Sequence, residues 1–263
     1  MTEGTTNRRI ALKVAYDGTH YHGWQTQENA ANTIQAILEH AAGSVCNHPL
    51  YIHGSGRTDT GVHARGQICH LTTTSTIPLF KIIMGMNSML PRDIRVRNAF
   101  DVDEDFHSQY STHSKKYSYA ILHGCQPDPL QRLYSWHVRQ TIDPARLQEE
   151  LNHFVGEHDF KACRAKKATT KTTVRTIYSI GVRVESPHKL HIHFHGNGFL
   201  KHMIRIMVGT AVDRAIGCLD RSIPEILLSR DRTRGGRTAA PCGLVMEEVL
   251  YEQYDFSADF RIT

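Results

Sequence analysis

The sequence lacks the features that mark membrane proteins and disulfide-stabilised proteins. No apolar run reaches the roughly 18 residues that a membrane-spanning helix needs, and no secretory signal peptide is recognisable. The six cysteines are widely spaced, and none forms the Cys-x-x-Cys pair that is typical of zinc or redox sites. We therefore expect a soluble, cytoplasmic protein whose thiols are reduced.

Acidic residues are the minority charge. The chain of 263 residues has 31 Lys and Arg against 26 Asp and Glu, a formal net charge of +5, and 18 His that can add positive charge in acid. Its hydrophobic fraction of 40% is enough for a sizeable core, in one large domain or two small ones. The positive balance favours a polyanionic partner.

Two segments concentrate the positive charge. Residues 161 to 175 contain no acidic residue, and Thr and Ala fill the gaps between cations, so we predict a loop suited to phosphate contacts. A solvated linker is the alternative. The candidate phosphate-binding residues of this segment are Lys161, Arg164, Lys166, Lys167 and Lys171, with Arg175 at its end. A second basic run, from Arg230 to Arg237, contains one acidic residue, Asp231.

Hydrophobic periodicity predicts strands and helices in both halves of the chain. Strands are expected at residues 10–16, 50–53, 67–71, 94–100, 115–122, 176–184, 189–196 and 244–251. Helices are expected at residues 34–42, from the N-cap Asp143 to Gly156, at about 199–216, and after Ser222. This order predicts an α+β fold of two similar lobes, residues 1–125 and 126–263, each with an antiparallel or mixed sheet and helices.

The most informative segment runs from Gly54 to Ala64 and reads GSGRTDTGVHA. It places Asp59 between glycines on a tight turn that joins two strand-like segments, so its carboxylate can face a cleft. Arg57 lies two residues earlier. It can favour the ionised form of the carboxylate or contact a phosphate of the polyanionic partner. The alternative is that Asp59 only caps its own turn, as Asp often does in such loops.

Two further segments carry candidate site residues. Strand-like alternation after Lys115 and Lys116 puts Tyr117 and Tyr119 on one face, where Tyr117 is either a base-stacking residue or a core aromatic. In the segment from residue 197 to 205, apolar residues recur at helical spacing and Arg205 lies off the apolar face. An Arg within an apolar turn usually needs a carboxylate partner, and Asp59 is the candidate.

These segments resemble, in order, the motifs of the TruA-type tRNA pseudouridine synthases. The resemblance is residue for residue from Gly56 to Ala64 and extends from residue 10 to about 251, with looser matches at residues 14–25 and 105–107. It implies that Asp59 is the catalytic aspartate, that Tyr117 stacks on the target base, and that Arg205 is an active-site arginine. At Gln109 the family often has Arg, so this chain departs from the pattern there.

The resemblance also implies a substrate, an assembly and a reaction. It implies a central extended sheet with a basic RNA-binding cleft, a homodimer, and conversion of uridines 38, 39 and 40 of the tRNA anticodon arm. This isomerisation cuts the bond between C1′ and N1, turns the base and joins C1′ to C5, so it needs no metal and no cofactor. It needs a carboxylate that acts as nucleophile or stabilises positive charge at C1′, and a uridine flipped out of its stack.

Three other interpretations compete with this one. Asp59, Thr60 and Gly61 also match the tripeptide of aspartic proteases, but those enzymes need two such carboxylates and only one copy is present. His191, His193 and His195 alternate along a strand and can bind a metal, although a solvent-facing or RNA-facing strand explains them as well. Finally, a non-catalytic tRNA-binding protein would have the same basic segments.

Overall fold

The structure, a computed structural model, describes residues 7–26, 32–165 and 170–261. The chain forms two compact units, Met1–His113 with Met246–Thr263, and Ser114–Val245. This division differs from the predicted boundary after residue 125 because the N-terminal segment of the first unit ends at His113, near the start of the strand that carries Tyr117, and because the C-terminal segment packs in the first unit.

The first unit is built on antiparallel strands. They are β1 (Arg8–Tyr16), β2 (His53–Gly54), β3 (His63–Thr73), β4 (Ile94–Val102) and the C-terminal β10 (Leu244–Tyr251). The strand order is β4-β1-β3-β10, and β2 pairs with β3. Helices α1 (Ile34–Cys46) and α2 (Leu79–Met89) pack against each other, and α2 packs on β4. The short β2 and the long β3 flank the segment that carries Asp59.

The second unit has the same kind of architecture. Its strands are β5 (Thr112–His123), β6 (Trp136–Val138), β7 (Gly156–Asp159), β8 (Val174–Ser186) and β9 (Lys189–Gly196). The order is β5-β9-β8-β7 with antiparallel pairing, and β6 pairs with β5 in parallel. Helices α3 (Pro144–Asn152) and α4 (Met203–Ala215) pack together, and α5 (Ile223–Ser229) follows. The predicted α+β fold of two lobes with antiparallel or mixed sheets is confirmed.

Capping residues explain why the helices begin where they do. The side chains of Thr33 and Asp143 accept hydrogen bonds from the first turns of α1 and α3, and Ser222 forms a capping box with Glu225 at the start of α5. Helix α3 ends at Asn152, before the predicted end at Gly156, whose φ of 106° belongs to the start of β7. Helix α4 begins at Met203, four residues after the predicted start.

The sequence interpretation missed helix α2. Pro78 precedes this helix, its side chain supplies no capping hydrogen bond, and Gly85 lies in the helix interior. A Cβ at position 85 would lie 2.9 Å from a methyl group of Val45, so the close packing of α2 on α1 explains that glycine. Within the described residues, none of the helices has the length and apolarity needed to cross a membrane.

A histidine cluster in the first unit gives the fold a pH dependence. The rings of His53 and His70 stack with centroids 4.9 Å apart, and His107 lies 4.8 Å from His70. The backbone N–H of Ser108 donates to Nδ1 of His70 over 3.2 Å, which requires that nitrogen to be unprotonated. Burial, followed by the charges of His107, His53 and Arg9, lowers the pKa of His70 to about 3.

Folding stability should therefore fall as the pH drops from about 6.5 towards 3, because the unfolded chain protonates His70 first. Between pH 7 and pH 5, His70 should contribute a loss of about 2 kcal/mol in the free energy of unfolding. Urea titrations at the two pH values measure this loss. It should shrink by that amount in His70→Asn and persist in His20→Asn, whose side chain is exposed. An unchanged pH dependence in His70→Asn would contradict the assignment.

Candidate active site

The backbone before Asp59 is held by residues of β1 and of the segment that follows it. The buried hydroxyls of Tyr16 and Thr58 are 2.8 Å apart, and the backbone N–H of Trp24 donates to the carbonyl of Thr58 over 3.1 Å. Burial raises the pKa of the Tyr16 phenol well above its ordinary value, so the hydroxyl stays protonated. Thr58 is thereby fixed from two sides immediately before Asp59.

The turn itself is closed by the backbone. The carbonyl of Asp59 accepts the N–H of Val62 over 3.1 Å, and Gly61 has a φ of 76°, a conformation that favours glycine at the third position of the turn. Earlier in the loop, the amide of Gln67 donates to the carbonyl of Gly56 over 2.9 Å. Asp59 is partly exposed, on a turn that hydrogen bonds hold on both sides.

Gly23 allows the chain before α1 to approach the Asp59 loop closely. Its φ is 85°, and an added Cβ would lie 2.6 Å from the carbonyl oxygen of Thr58 and 3.2 Å from the backbone of Asp59. Gly54, on β2, is similarly close to Trp24, whose ring a Cβ would meet at 2.5 Å. From the sequence, residues 14–25 have only a general role in shaping the cleft, whereas in the structure they support the Asp59 loop.

Arg57 lies on the same loop as Asp59 but on its outer side. The side chain is exposed, and no ion pair joins it to Asp59 in the part of the chain that the structure describes. Its guanidinium is therefore accessible to an external anion, which is the second of the two roles considered for it from the sequence.

Tyr117 and Tyr119 point to the same side of β5 in the second unit, as their alternation predicts. Tyr117 is 8% exposed and its ring packs edge to face on Phe199, with centroids 5.1 Å apart. Tyr119 is fully buried and donates its hydroxyl to the carbonyl of Ala240 over 2.6 Å. Burial raises the pKa of Tyr119 well above its usual value, and the Arg205 guanidinium opposes that rise.

Arg205 lies in the first turn of α4 and is anchored to an extended segment. Its Nε donates to the carbonyl of Ala239 over 2.8 Å, and the N–H of Ala239 donates back to the carbonyl of Arg205 over 3.0 Å. This pair of hydrogen bonds requires helix α4 to pack closely on the segment that contains Ala239. Gly209 allows that approach, since a Cβ there would lie 2.0 Å from the carbonyl of Arg237. Tyr119 and Arg205 are thus brought together through residues 239 and 240.

Lys115 is an additional charged group on the strand of Tyr117. It lies two residues before Tyr117 and therefore on the same face of β5. Burial, with a smaller effect of the Arg175 guanidinium, lowers the pKa of Lys115 to about 8.

The first basic segment is more structured than predicted. Lys161 is exposed on a 3₁₀ turn, Phe160–Cys163, and Arg164 donates to the hydroxyl of Thr170 over 3.3 Å. Lys171 is exposed, and β8 begins at Val174. Lys166 and Lys167 lie outside the described residues.

The histidines of β9 do not assemble a metal site. Nε2 of His191 forms an ion pair with Glu185, His193 is exposed, and Nε2 of His195 lies 3.0 Å from the hydroxyl of Ser114. No group of three or more metal-ligating side chains suited to an ion occurs among the residues described. The three histidines therefore belong to the solvent-facing side of strand β9.

Comparison with known proteins identifies the family. A family model described as tRNA pseudouridine synthase matches residues 12–111 and 151–252. The chain belongs to the tRNA pseudouridine synthase family. It is 42% identical to the tRNA pseudouridine synthase A of Geotalea uraniireducens over 93% of this chain and 100% of that protein. With the same coverage, it is 40% identical to the tRNA pseudouridine synthases A of Ruminiclostridium cellulolyticum and Acetivibrio thermocellus.

Membership of the tRNA pseudouridine synthase family confirms the resemblance drawn from the motifs. The protein is an isomerase that acts on uridine in tRNA. The match of the family model spans the Asp59 loop, and its second part spans Arg205 and the basic segments. The family therefore favours a tRNA pseudouridine synthase over the protease, metal-site and non-catalytic binding interpretations.

The contact between Gly23 and the Asp59 loop gives a direct test of loop positioning. Gly23→Ala should lower the rate of pseudouridine formation by about 10²-fold, because a Cβ at φ 85° displaces Thr58 and with it Asp59. Single-turnover release of tritium from C5 of uridine in tRNA measures this rate. Gly217→Ala is the matched control, since Gly217 also has a positive φ, of 74°, but nothing lies within 4 Å of an added Cβ. Equal rates in the two variants would refute the positioning role.

Proposed function

We propose that this enzyme converts uridines 38, 39 and 40 of the tRNA anticodon stem-loop to pseudouridine, with Asp59 as its catalytic carboxylate. The observation that carries the proposal is the Asp59 turn. It is held by contacts with Tyr16, Trp24 and Gly23, and Asp59 on it is partly exposed. An immobile carboxylate is what the reaction requires, because the sugar, the detached base and the carboxylate must stay aligned while the base turns.

The remaining residues have supporting roles in this proposal. Arg205 is an electrostatic partner of the Asp59 carboxylate, and Arg57 binds phosphate near the target nucleotide. Tyr117 stacks on the flipped uracil through the part of its ring that is accessible, with Phe199 fixing its orientation. Contacts of Lys161, Arg164, Lys166, Lys167 and Lys171 with phosphates supply much of the affinity for tRNA.

The chemistry is balanced without any co-reactant. The bond between C1′ and N1 breaks, the bond between C1′ and C5 forms, N1 gains a proton, and the hydrogen of C5 is released to water. Tritium placed at C5 is therefore a specific reporter of the reaction.

Because the resemblance implies a homodimer, light scattering of the purified protein should give twice the mass of 29.8 kDa.

The proposed sites can be tested with three anticodon stem-loop substrates, each with tritiated uridine at only one of positions 38, 39 and 40. Release of tritium from each supports the assignment. Release only from uridines elsewhere in full-length tRNA would refute the three proposed positions but not the pseudouridine synthase activity. A wild-type protein that binds all substrates but releases no tritium would favour the alternative function, a non-catalytic tRNA-binding protein.

A further inference from the structure

The two basic segments of the second unit lie against each other. The 3₁₀ turn Phe160–Cys163, which carries Lys161, contacts a second 3₁₀ turn, Arg232–Arg234. An ion pair of 3.0 Å between Arg230 and Asp159 connects the segments just before each turn. Residues about seventy positions apart in the sequence therefore form one surface, which we call the double-turn surface and define by Lys161, Arg230, Arg232 and Arg234.

Two of its four cations are held in place by neighbouring groups. Arg230 is bound to Asp159 while its side chain stays 63% exposed. Arg232 donates through Nη2 to the hydroxyl of Thr238 over 2.9 Å. These contacts reduce the side-chain entropy that a binding partner would otherwise have to remove, so the two guanidinium groups are partly preorganised.

The other two cations extend into solvent. Lys161 and Arg234 are exposed, and their charged groups form no hydrogen bond or ion pair with any residue of the described ranges 7–26, 32–165 and 170–261. They are therefore the members of the surface with the greatest freedom to bind an external anion.

The acidic residues of the double-turn surface are engaged in local contacts. Asp159 accepts from the hydroxyl of Thr173 over 2.6 Å, from the N–H of Lys161 over 3.0 Å, and from Arg230. Asp231 accepts from the N–H and the hydroxyl of Thr233 over 2.9 and 2.8 Å. These carboxylates cap the two turns, so the outward-facing charge is positive.

We propose that the double-turn surface binds the phosphates of the tRNA backbone, with Lys161 and Arg234 as contacting residues and Asp159 as the positioning residue of Arg230. A row of cations on neighbouring turns fits a ligand with regularly spaced negative charges, and phosphate contacts of this kind orient a nucleic acid without reading its bases. The inference rests on the proposed function for the identity of the RNA, and it adds the second basic segment to the substrate surface.

The salt dependence of tRNA binding tests the contacting residues. In Lys161→Gln/Arg234→Gln, the dissociation constant for unmodified tRNA should rise, and the slope of log affinity against log salt should become shallower by about 0.7 to 0.9 for each lost phosphate contact. The control, Arg146→Gln/Arg183→Gln, removes two exposed cations of the same unit at other places and should leave the slope as in wild type. An unchanged slope in the first variant, or an equal change in the control, would overturn the proposal.

A second variant distinguishes a positioning role of Asp159 from an effect of the net charge of the protein. Asp159→Asn makes the protein more positive, so a general field effect predicts tighter binding of tRNA. Loss of the ion pair that holds Arg230 predicts weaker binding by roughly 3- to 10-fold at low salt. Thermal unfolding checks that the variant is folded, and Arg230→Gln should give a similar loss that is not increased in the double variant with Asp159→Asn. Tighter binding in Asp159→Asn would contradict the positioning role.

Failure of this inference is distinguishable from failure of the proposed function. Suppose that the wild-type protein releases tritium from its substrates, but that the double-turn variants bind tRNA with the same salt dependence as the wild type. The proposed reaction is then supported, and this surface does not contact RNA. If the slopes change as expected but no tritium is released by the wild-type protein, the surface binds RNA and the proposed reaction is refuted.

Discussion

Replacing Asp59 with Asn should lower the rate of tritium release from C5-labelled tRNA by at least about 10⁴-fold, while the dissociation constant for tRNA stays close to that of the wild type. An amide has the shape of the carboxylate but neither its nucleophilicity nor its charge. The turn should be kept, since its closing hydrogen bond uses the backbone carbonyl of Asp59 and its support is directed at Thr58.

The control for this variant is Asp220→Asn, which removes an exposed carboxylate of the second unit. It should release tritium at the wild-type rate, so that a loss in Asp59→Asn cannot be attributed to net charge. Pseudouridine formation by Asp59→Asn at more than about a hundredth of the wild-type rate would show that another group performs the chemistry.

Replacing Arg205 with Met should lower the single-turnover rate by about 10³-fold, because the variant loses the cation proposed as the electrostatic partner of Asp59. Met has a similar length and is compatible with the first turn of α4, but it cannot donate to the carbonyl of Ala239.

Two variants complete the Arg205 experiment. Arg205→Lys keeps the charge but not the donor geometry of Nε, so its rate should lie between those of the wild type and Arg205→Met. Arg146→Met makes the same chemical change at an exposed position on α3 and should leave the rate unchanged. A wild-type rate in Arg205→Met would remove this residue from the active site.

The sequence was most informative where local chemistry decides the structure. The helix starts at Thr33 and Asp143 follow from side chains that cap their own first turns. Strand β9 was predicted to the residue because its alternation of buried and exposed positions is regular. Helix α2 was missed because it has no polar cap and is stabilised instead by its packing on α1.

In the candidate site, too, some features follow from the local sequence and others depend on distant residues. The segment from Gly56 to Ala64 is sufficient, through its composition and order, to identify Asp59 as the catalytic candidate and to suggest the family that the comparisons confirm. The support of that segment by Tyr16 and Gly23 has no local signal, since a hydroxyl contact and a close backbone approach depend on where distant residues meet in space.

By itself, the sequence determined the α+β class, the family and the chemical identity of the candidate site residues, because each depends on local order and residue type. Only the tertiary structure decided that the C-terminal strand packs in the first unit, and that the two basic segments form the double-turn surface. Both results depend on contacts between residues far apart in the chain. Such contacts are selected by packing and charge complementarity over the whole fold, and no local segment of the sequence encodes them alone.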